Sequence, residues 1–252
     1  MEGRDESHLR HGKIQSRTAP DVSDPQLSYT GLDLLRALDG AINYNALLVD
    51  LILESAGGRL RMLDFGAGVG TFSKLLRSEG ADVTCVEPDP YLSDCLVRNG
   101  FSTFRDLNEV PDDSFEFVFA LNVLEHIADD RTVLRQLGAK LRQTGRLLVY
   151  VPAFRLLWTG LDEKIKHYRR YRREDLERLT RSTGLSVQKS RYVDSLGFLA
   201  ALSFKIVSRK KADLSARAIA LYDRYVVPPT KALDLLFGGF FGKNVYVVAS
   251  KD

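Results

Sequence analysis

Cysteine is scarce in this chain of 252 residues. Cys85 and Cys95 are the only two. Both fall inside segments read as buried elements, which makes them reduced core thiols rather than a disulfide or metal ligands. Long apolar runs are missing as well. No stretch approaches the roughly 18 uncharged apolar residues that a membrane-crossing helix needs. The opening Met-Glu-Gly-Arg-Asp-Glu-Ser has no apolar core of the kind a secretory signal carries. A charge excess of one sign is also absent. Lys and Arg number 36 against 33 Asp and Glu, and a net +3 is too small to imply nucleic acid by itself. These absences together favour the cytoplasm. With 44% hydrophobic and 27% charged residues, the composition is that of a globular protein with one sizeable core.

Residues 1–28 are polar, mixed in charge and without period, and are expected to be a disordered leader. Residues 29–252 form the folded domain. Leu32, Leu34, Leu35 and Leu38, then Leu47, Leu48, Leu51, Ile52 and Leu53, fit two amphipathic helices stopped by Gly57-Gly58. Strands and helices then alternate. Strands are expected over 60–65, 82–87, 101–104, 115–121 and 147–151, with helices over 72–78, 91–98 and 130–142 between them. A helix over 173–183 and strands over 185–193 and 245–250 follow. Such alternation means βαβ units and a doubly wound, Rossmann-like, mostly parallel seven-stranded sheet with helices on both faces. Residues 196–241 read as an apolar helical insertion or lid.

The decisive segment is Met62-Leu63-Asp64-Phe65-Gly66-Ala67-Gly68-Val69-Gly70-Thr71. A strand runs into glycines at alternate positions, and a helix follows. Glycine suits a backbone that takes positive φ or approaches a ligand closely. The free N–H groups at the start of the next helix favour an anionic ligand group. A dinucleotide turn would read G-x-G-x-x-G, whereas here the last glycine position is Thr71. Glu87 closes the second strand, 17 residues after Gly70, in Val86-Glu87-Pro88-Asp89. Its two carboxylate oxygens suit a pair of ribose hydroxyls in either type of nucleotide site.

This pattern resembles motif I of the class I S-adenosylmethionine-dependent methyltransferases. The resemblance covers roughly residues 30–193. It implies that Asp64, Gly66, Ala67, Gly68 and Gly70 wrap the amino-acid end of the cofactor and that Glu87 and Pro88 meet its ribose. It further implies that Asp106 and Leu107 lie by the adenine and that Asn122 and Val123 line the pocket. Tyr44 would reach the cofactor carboxylate. The string Asp162-x-x-x-x-His167-Tyr168-Arg169-Arg170-Tyr171 resembles the bacterial type 11/12-like small-molecule subgroup. That subgroup points to a small-molecule, sugar or lipid-linked acceptor, methylated at oxygen.

Transfer to a hydroxyl benefits from a general base. His126 and His167 are the candidates, since His8 and His11 lie in the expected leader. His167 is preferred because its segment leaves the end of a strand, where ligands bind in open α/β sheets. Glu125, Tyr168, Arg170 and Tyr171 are expected to meet the acceptor. No metal site is assigned. Glu125, His126, Asp129 and Asp130 cluster after the fourth strand, but the last two also suit helix caps. Apolar patches beside Lys205 and Arg209-Lys210-Lys211 allow a lid or peripheral membrane contact. Nucleic acid is not expected as a partner, because neither an Asn/Asp-Pro-Pro-aromatic motif nor a Pro-Cys pair is present. A nucleic-acid methyltransferase and a cofactor-binding regulator without turnover remain as alternatives.

Overall fold

The computed structural model describes residues 38–207 and 216–252. The expected leader and the first amphipathic helix, apart from its last residues, lie outside them. Helix α1 is Ile42–Ala56. The alternation that follows is β1 Arg61–Phe65, α2 Thr71–Ser78, β2 Asp82–Val86, α3 Pro90–Arg98, β3 Ser102–Phe104, β4 Phe115–Leu121, α4 Asp130–Lys140 and β5 Leu141–Pro152. Then come α5 Gly160–Lys164, α6 Arg173–Arg181, β6 Ser186–Val193, α7 Ser195–Val207, α8 Ala216–Tyr225, α9 Val227–Phe237 and β7 Asn244–Ser250.

The seven strands form one sheet in the order β3-β2-β1-β4-β5-β7-β6. Only β7 runs antiparallel, to β5 on one side and β6 on the other. Side chains alternate between two cores because successive residues of a strand face opposite ways. Leu63, Val118, Leu147 and Val247 pack with Leu134 and Leu137 of α4 and Leu176 of α6. On the other face Met62, Phe117, Phe119 and Leu148 pack with Leu48 and Ile52 of α1 and Leu76 of α2. Each fully buried side chain of this size stabilises the fold by roughly 1.5–3 kcal/mol.

Caps explain several helix boundaries. Gly57 ends α1 in the left-handed region at φ 59° and returns its N–H to the Leu53 carbonyl. Asp89 caps α3 by accepting from the Leu92 amide at 3.0 Å, and Asp129 caps α4 by accepting from the Thr132 amide at 3.1 Å. The start of α1 is capped from far away. The Asp223 carboxylate on α8 accepts from the backbone amides of Asn43 at 3.2 Å and Tyr44 at 2.8 Å.

The largest difference from the expected boundaries lies between α4 and β5. Helix α4 stops at Lys140 instead of about Arg142. The Lys140 ammonium turns inward to the Val110 carbonyl and the Asp112 carboxylate, both at 2.7 Å. Leu141 then pairs with Phe115, and Arg146 pairs with Phe117. Residues 142–145 therefore bulge opposite the single residue Glu116, and β5 begins six residues before the expected start at Leu147.

Candidate active site

The strand order reverses between β1 and β4. A crevice opens at such a point, beyond the carboxyl ends of the strands. The glycine turn after β1 and residues 122–126 after β4 meet there. Gly66, Gly68 and Gly70 all have positive φ, at 79°, 57° and 78°. A Cβ on Gly66 would come within 2.4 Å of a Val123 methyl carbon, so the two loops touch only because position 66 has no side chain. Asn122 itself takes φ 54°, which asparagine tolerates better than most residues, and its amide donates to the Tyr150 carbonyl at 2.7 Å. Gly70 opens α2, whose first turn carries no side-chain cap.

Acids brace this turn. The Gly68 amide donates to one Glu87 oxygen at 2.8 Å, and the Asp89 amide donates to the other at 3.0 Å. Burial pushes the Glu87 carboxyl up, and those two amides oppose the shift. Asp64 is buried at the end of β1 and accepts from the Ser73 hydroxyl at 2.6 Å. Burial pushes its carboxyl up to about 7, against the Ser73 bond. Between its unfolded value near 4 and about 7, folded Asp64 keeps a proton that the unfolded chain has lost, so stability falls as pH rises through that window. Asp64→Asn should flatten the decline and raise the melting temperature at pH 8, relative to pH 5, by roughly 3 °C or more. Melts with unchanged pH dependence would refute the assignment.

Tyr44 lies on α1, and Asp106 and Leu107 follow β3. The Tyr44 hydroxyl lies 3.2 Å from that of Tyr150. Burial holds the Tyr44 phenol above its ordinary range. Asp106 is exposed and caps a short turn by accepting from the Asn108 amide at 2.9 Å, while Leu107 is buried. Pro88 is exposed beside Glu87.

The segment after β5 closes against residues 125 and 126. Phe154 leaves the strand at φ 54°, and its amide donates to the Tyr171 carbonyl at 3.0 Å. The Tyr168 amide donates to the Glu125 carbonyl at 2.7 Å. His167 is thereby brought against His126, ring centroids 4.5 Å apart and edge to face. His167 Nδ1 lies 2.8 Å from Asp162 Oδ1, and Nε2 lies 3.9 Å from Glu125 Oε1. Glu125 is 1% exposed and its Oε2 has no hydrogen-bond partner. Burial pushes the Glu125 carboxyl up to about 8, and burial pushes the His126 imidazole down to about 4. Glu125, His126 and His167 each offer a donor atom within 4.8 Å of the others, so among the described residues they are the ones that could hold a metal ion. Asp129 and Asp130 do not join them. Asp129 caps α4, and Asp130 accepts from Arg169 at 2.5 Å and from the Tyr171 hydroxyl at 2.9 Å.

Asp162 opens the string singled out in the sequence, but sequence reasoning gave it no role in the site. It sits on α5, a short helix between β5 and α6. Arg170 grips it with two bonds of 2.7 and 3.0 Å, and the Thr159 amide donates to it at 2.9 Å. Burial works against ionisation, yet His167, Arg170 and Thr159 hold this carboxyl well below the usual range. The five-residue spacing from Asp162 to His167, flanked by Thr159, was the available signal. The residues expected to meet the acceptor divide accordingly. Glu125 lines the cluster, whereas Arg170 is engaged by Asp162 and the buried Tyr171 by Asp130. The Tyr168 side chain is 60% exposed.

Comparison with known proteins bears on the family and the fold. Residues 35–190 match the family model described as a methyltransferase domain. A ubiquinone biosynthesis O-methyltransferase of Azorhizobium caulinodans is 33% identical over 100 residues, covering 36% of this chain and 39% of the relative. One from Xanthomonas euvesicatoria is 28% identical over 200 residues, covering 70% of this chain and 79% of the relative. A methyltransferase structure from Archaeoglobus fulgidus superposes with TM-score 0.55 at 18% identity, covering 82% of this chain and 94% of that one. The family match spans more than half of the sequence, and this chain belongs to the methyltransferase-domain family as an S-adenosylmethionine-dependent methyltransferase.

Proposed function

We propose that the chain methylates an oxygen of a small-molecule or lipid-linked acceptor, with the Asp162–His167 pair receiving the proton. The observation that carries this reading is the 2.8 Å contact between His167 Nδ1 and an ionised, buried Asp162. A carboxylate on Nδ1 keeps the proton on that nitrogen and leaves the Nε2 lone pair free. Nε2 points into the cluster with Glu125 and His126, next to the crevice.

The crevice residues fit the cofactor. Each Glu87 oxygen takes one backbone amide and keeps lone pairs for a ribose hydroxyl. The uncapped first turn of α2 suits a carboxylate, and the glycines leave room for close approach. When bound, the cofactor supplies a methyl group activated on sulfur. The acceptor oxygen gains that methyl, and its hydroxyl proton passes to His167 Nε2. Glu125, protonated at neutral pH by its burial, leaves the pocket free of a competing negative charge. The relatives named ubiquinone biosynthesis O-methyltransferase support oxygen as the atom methylated. Two free cysteines suit a reducing compartment, and we place the reaction in the cytoplasm.

A panel of phenols and catechols, with and without an alkyl or polyprenyl tail, should be assayed beside the matching amines. Release of S-adenosylhomocysteine with hydroxyl acceptors is the expected result. Turnover confined to the amines would overturn the proposal.

A further inference from the structure

The helices between β6 and β7 present a surface that the methyl-transfer reading leaves unused. Thirteen large apolar side chains are exposed among the described residues, and seven of them lie within residues 195–243. The most exposed follow one another at the end of α9, with Leu235 at 74%, Leu236 at 68% and Phe240 at 77%. Leu199 on the neighbouring α7 is 49% exposed. Leu156 is 57% exposed, and its carbonyl accepts from Lys205 of α7 at 2.7 Å. A ladder of rings supports this region from below. Phe154, Phe198, Phe241 and Phe237 stand at successive centroid distances of 5.5, 5.3 and 5.7 Å, tying the patch to the end of β5.

Charge accompanies the apolar surface. Residues 195–243 hold eight Lys or Arg and three Asp or Glu, a net +5, while the rest of the chain is net −2. Two of the three acids are engaged internally. Asp223 caps α1, and Asp234 accepts from the amides of Asp194 and Ser195. Neither Lys205 nor Arg224 has a carboxylate partner among the described residues.

We propose that this face docks on an anionic lipid bilayer. Apolar side chains next to basic ones suit an interface where the former enter the headgroup–acyl boundary and the latter meet anionic headgroups. A second copy of the chain fits less well, because a two-fold interface would set two net-positive surfaces against each other. The proposal goes beyond the methyl-transfer reading and does not depend on which acceptor is used.

Flotation of the full chain with vesicles tests it. Vesicles of equal phosphatidylcholine and phosphatidylglycerol should bind at least about tenfold more protein than phosphatidylcholine alone, and added salt should release it. The Leu235→Ser/Leu236→Ser/Phe240→Ser variant should lose about tenfold of this binding, as expected for apolar insertion, while its melting temperature and S-adenosylhomocysteine affinity hold. Lys205→Gln/Arg224→Gln should weaken binding to the mixed vesicles only. Absence of vesicle binding by the native sequence, or equal binding by the triple variant, would overturn the proposal. So would self-association that the triple variant abolishes without any vesicle binding.

Discussion

Replacing His167 with alanine should lower turnover on an oxygen acceptor by roughly 10²–10⁴-fold, the usual contribution of a positioned base. Cofactor affinity should hold, because His167 contacts Asp162, Glu125 and His126 rather than the glycine turn. The loss should therefore appear in kcat, measured with saturating cofactor, and not in S-adenosylhomocysteine binding. The rate lost should return in part at high pH, where hydroxide ionises the acceptor without help. Asp162→Asn provides the companion test. It removes the charge that fixes the His167 tautomer and leaves the half-buried Arg170 without its counter-ion, so both rate and stability should fall. A His167→Ala enzyme with native turnover would sink the assignment. His126, with its imidazole held down to about 4, would then be the remaining neutral nitrogen in the cluster.

Glu87→Ala should weaken S-adenosylhomocysteine binding by roughly 10²–10⁴-fold, from the loss of hydrogen bonds between a carboxylate and two hydroxyls at about 1.5–3 kcal/mol each. Calorimetric titration reads the change directly. Part of the loss comes from the turn itself, since Glu87 also holds the amides of Gly68 and Asp89. Glu87→Gln separates the two effects. It retains one acceptor oxygen, so its affinity should fall between alanine and the native residue. Native affinity in Glu87→Ala would mean that the ribose is held elsewhere. A nicotinamide dinucleotide should not compete at either stage, since Thr71 stands where its turn has the last glycine.

The strands were legible wherever local chemistry decided them. Phe115–Leu121 is an apolar run interrupted only by Glu116 and set between polar turns, and the structure gives it the expected limits. The glycine turn was legible because positive φ at three alternate positions demands a residue without a side chain. The short reach of α4 was not, because Lys140 ends it through partners at Val110 and Asp112, about thirty positions earlier. Long-range partners also explain what the sequence concealed in the site. Arg170 and Tyr171 read as free groups near an acceptor, yet Asp162 and Asp130 already engage them. Tyr44 meets Tyr150 across 106 positions, a pairing with no local signature. The proximity of His126 and His167 follows from the Tyr168 amide bonding Glu125 across the loops, which is a fact of tertiary packing.

The position of β7 bears on how the protein is made. It comes after every other strand in chain order, yet it pairs along both edges, filling the gap between β5 and β6. While a ribosome is still producing residues 195–243, β5 presents an open edge and β6 has no strand beside it. Such edges invite pairing with other chains. Chaperone demand during synthesis should therefore concentrate on this half of the sheet, and a nascent chain stalled before Asn244 should be the aggregating species.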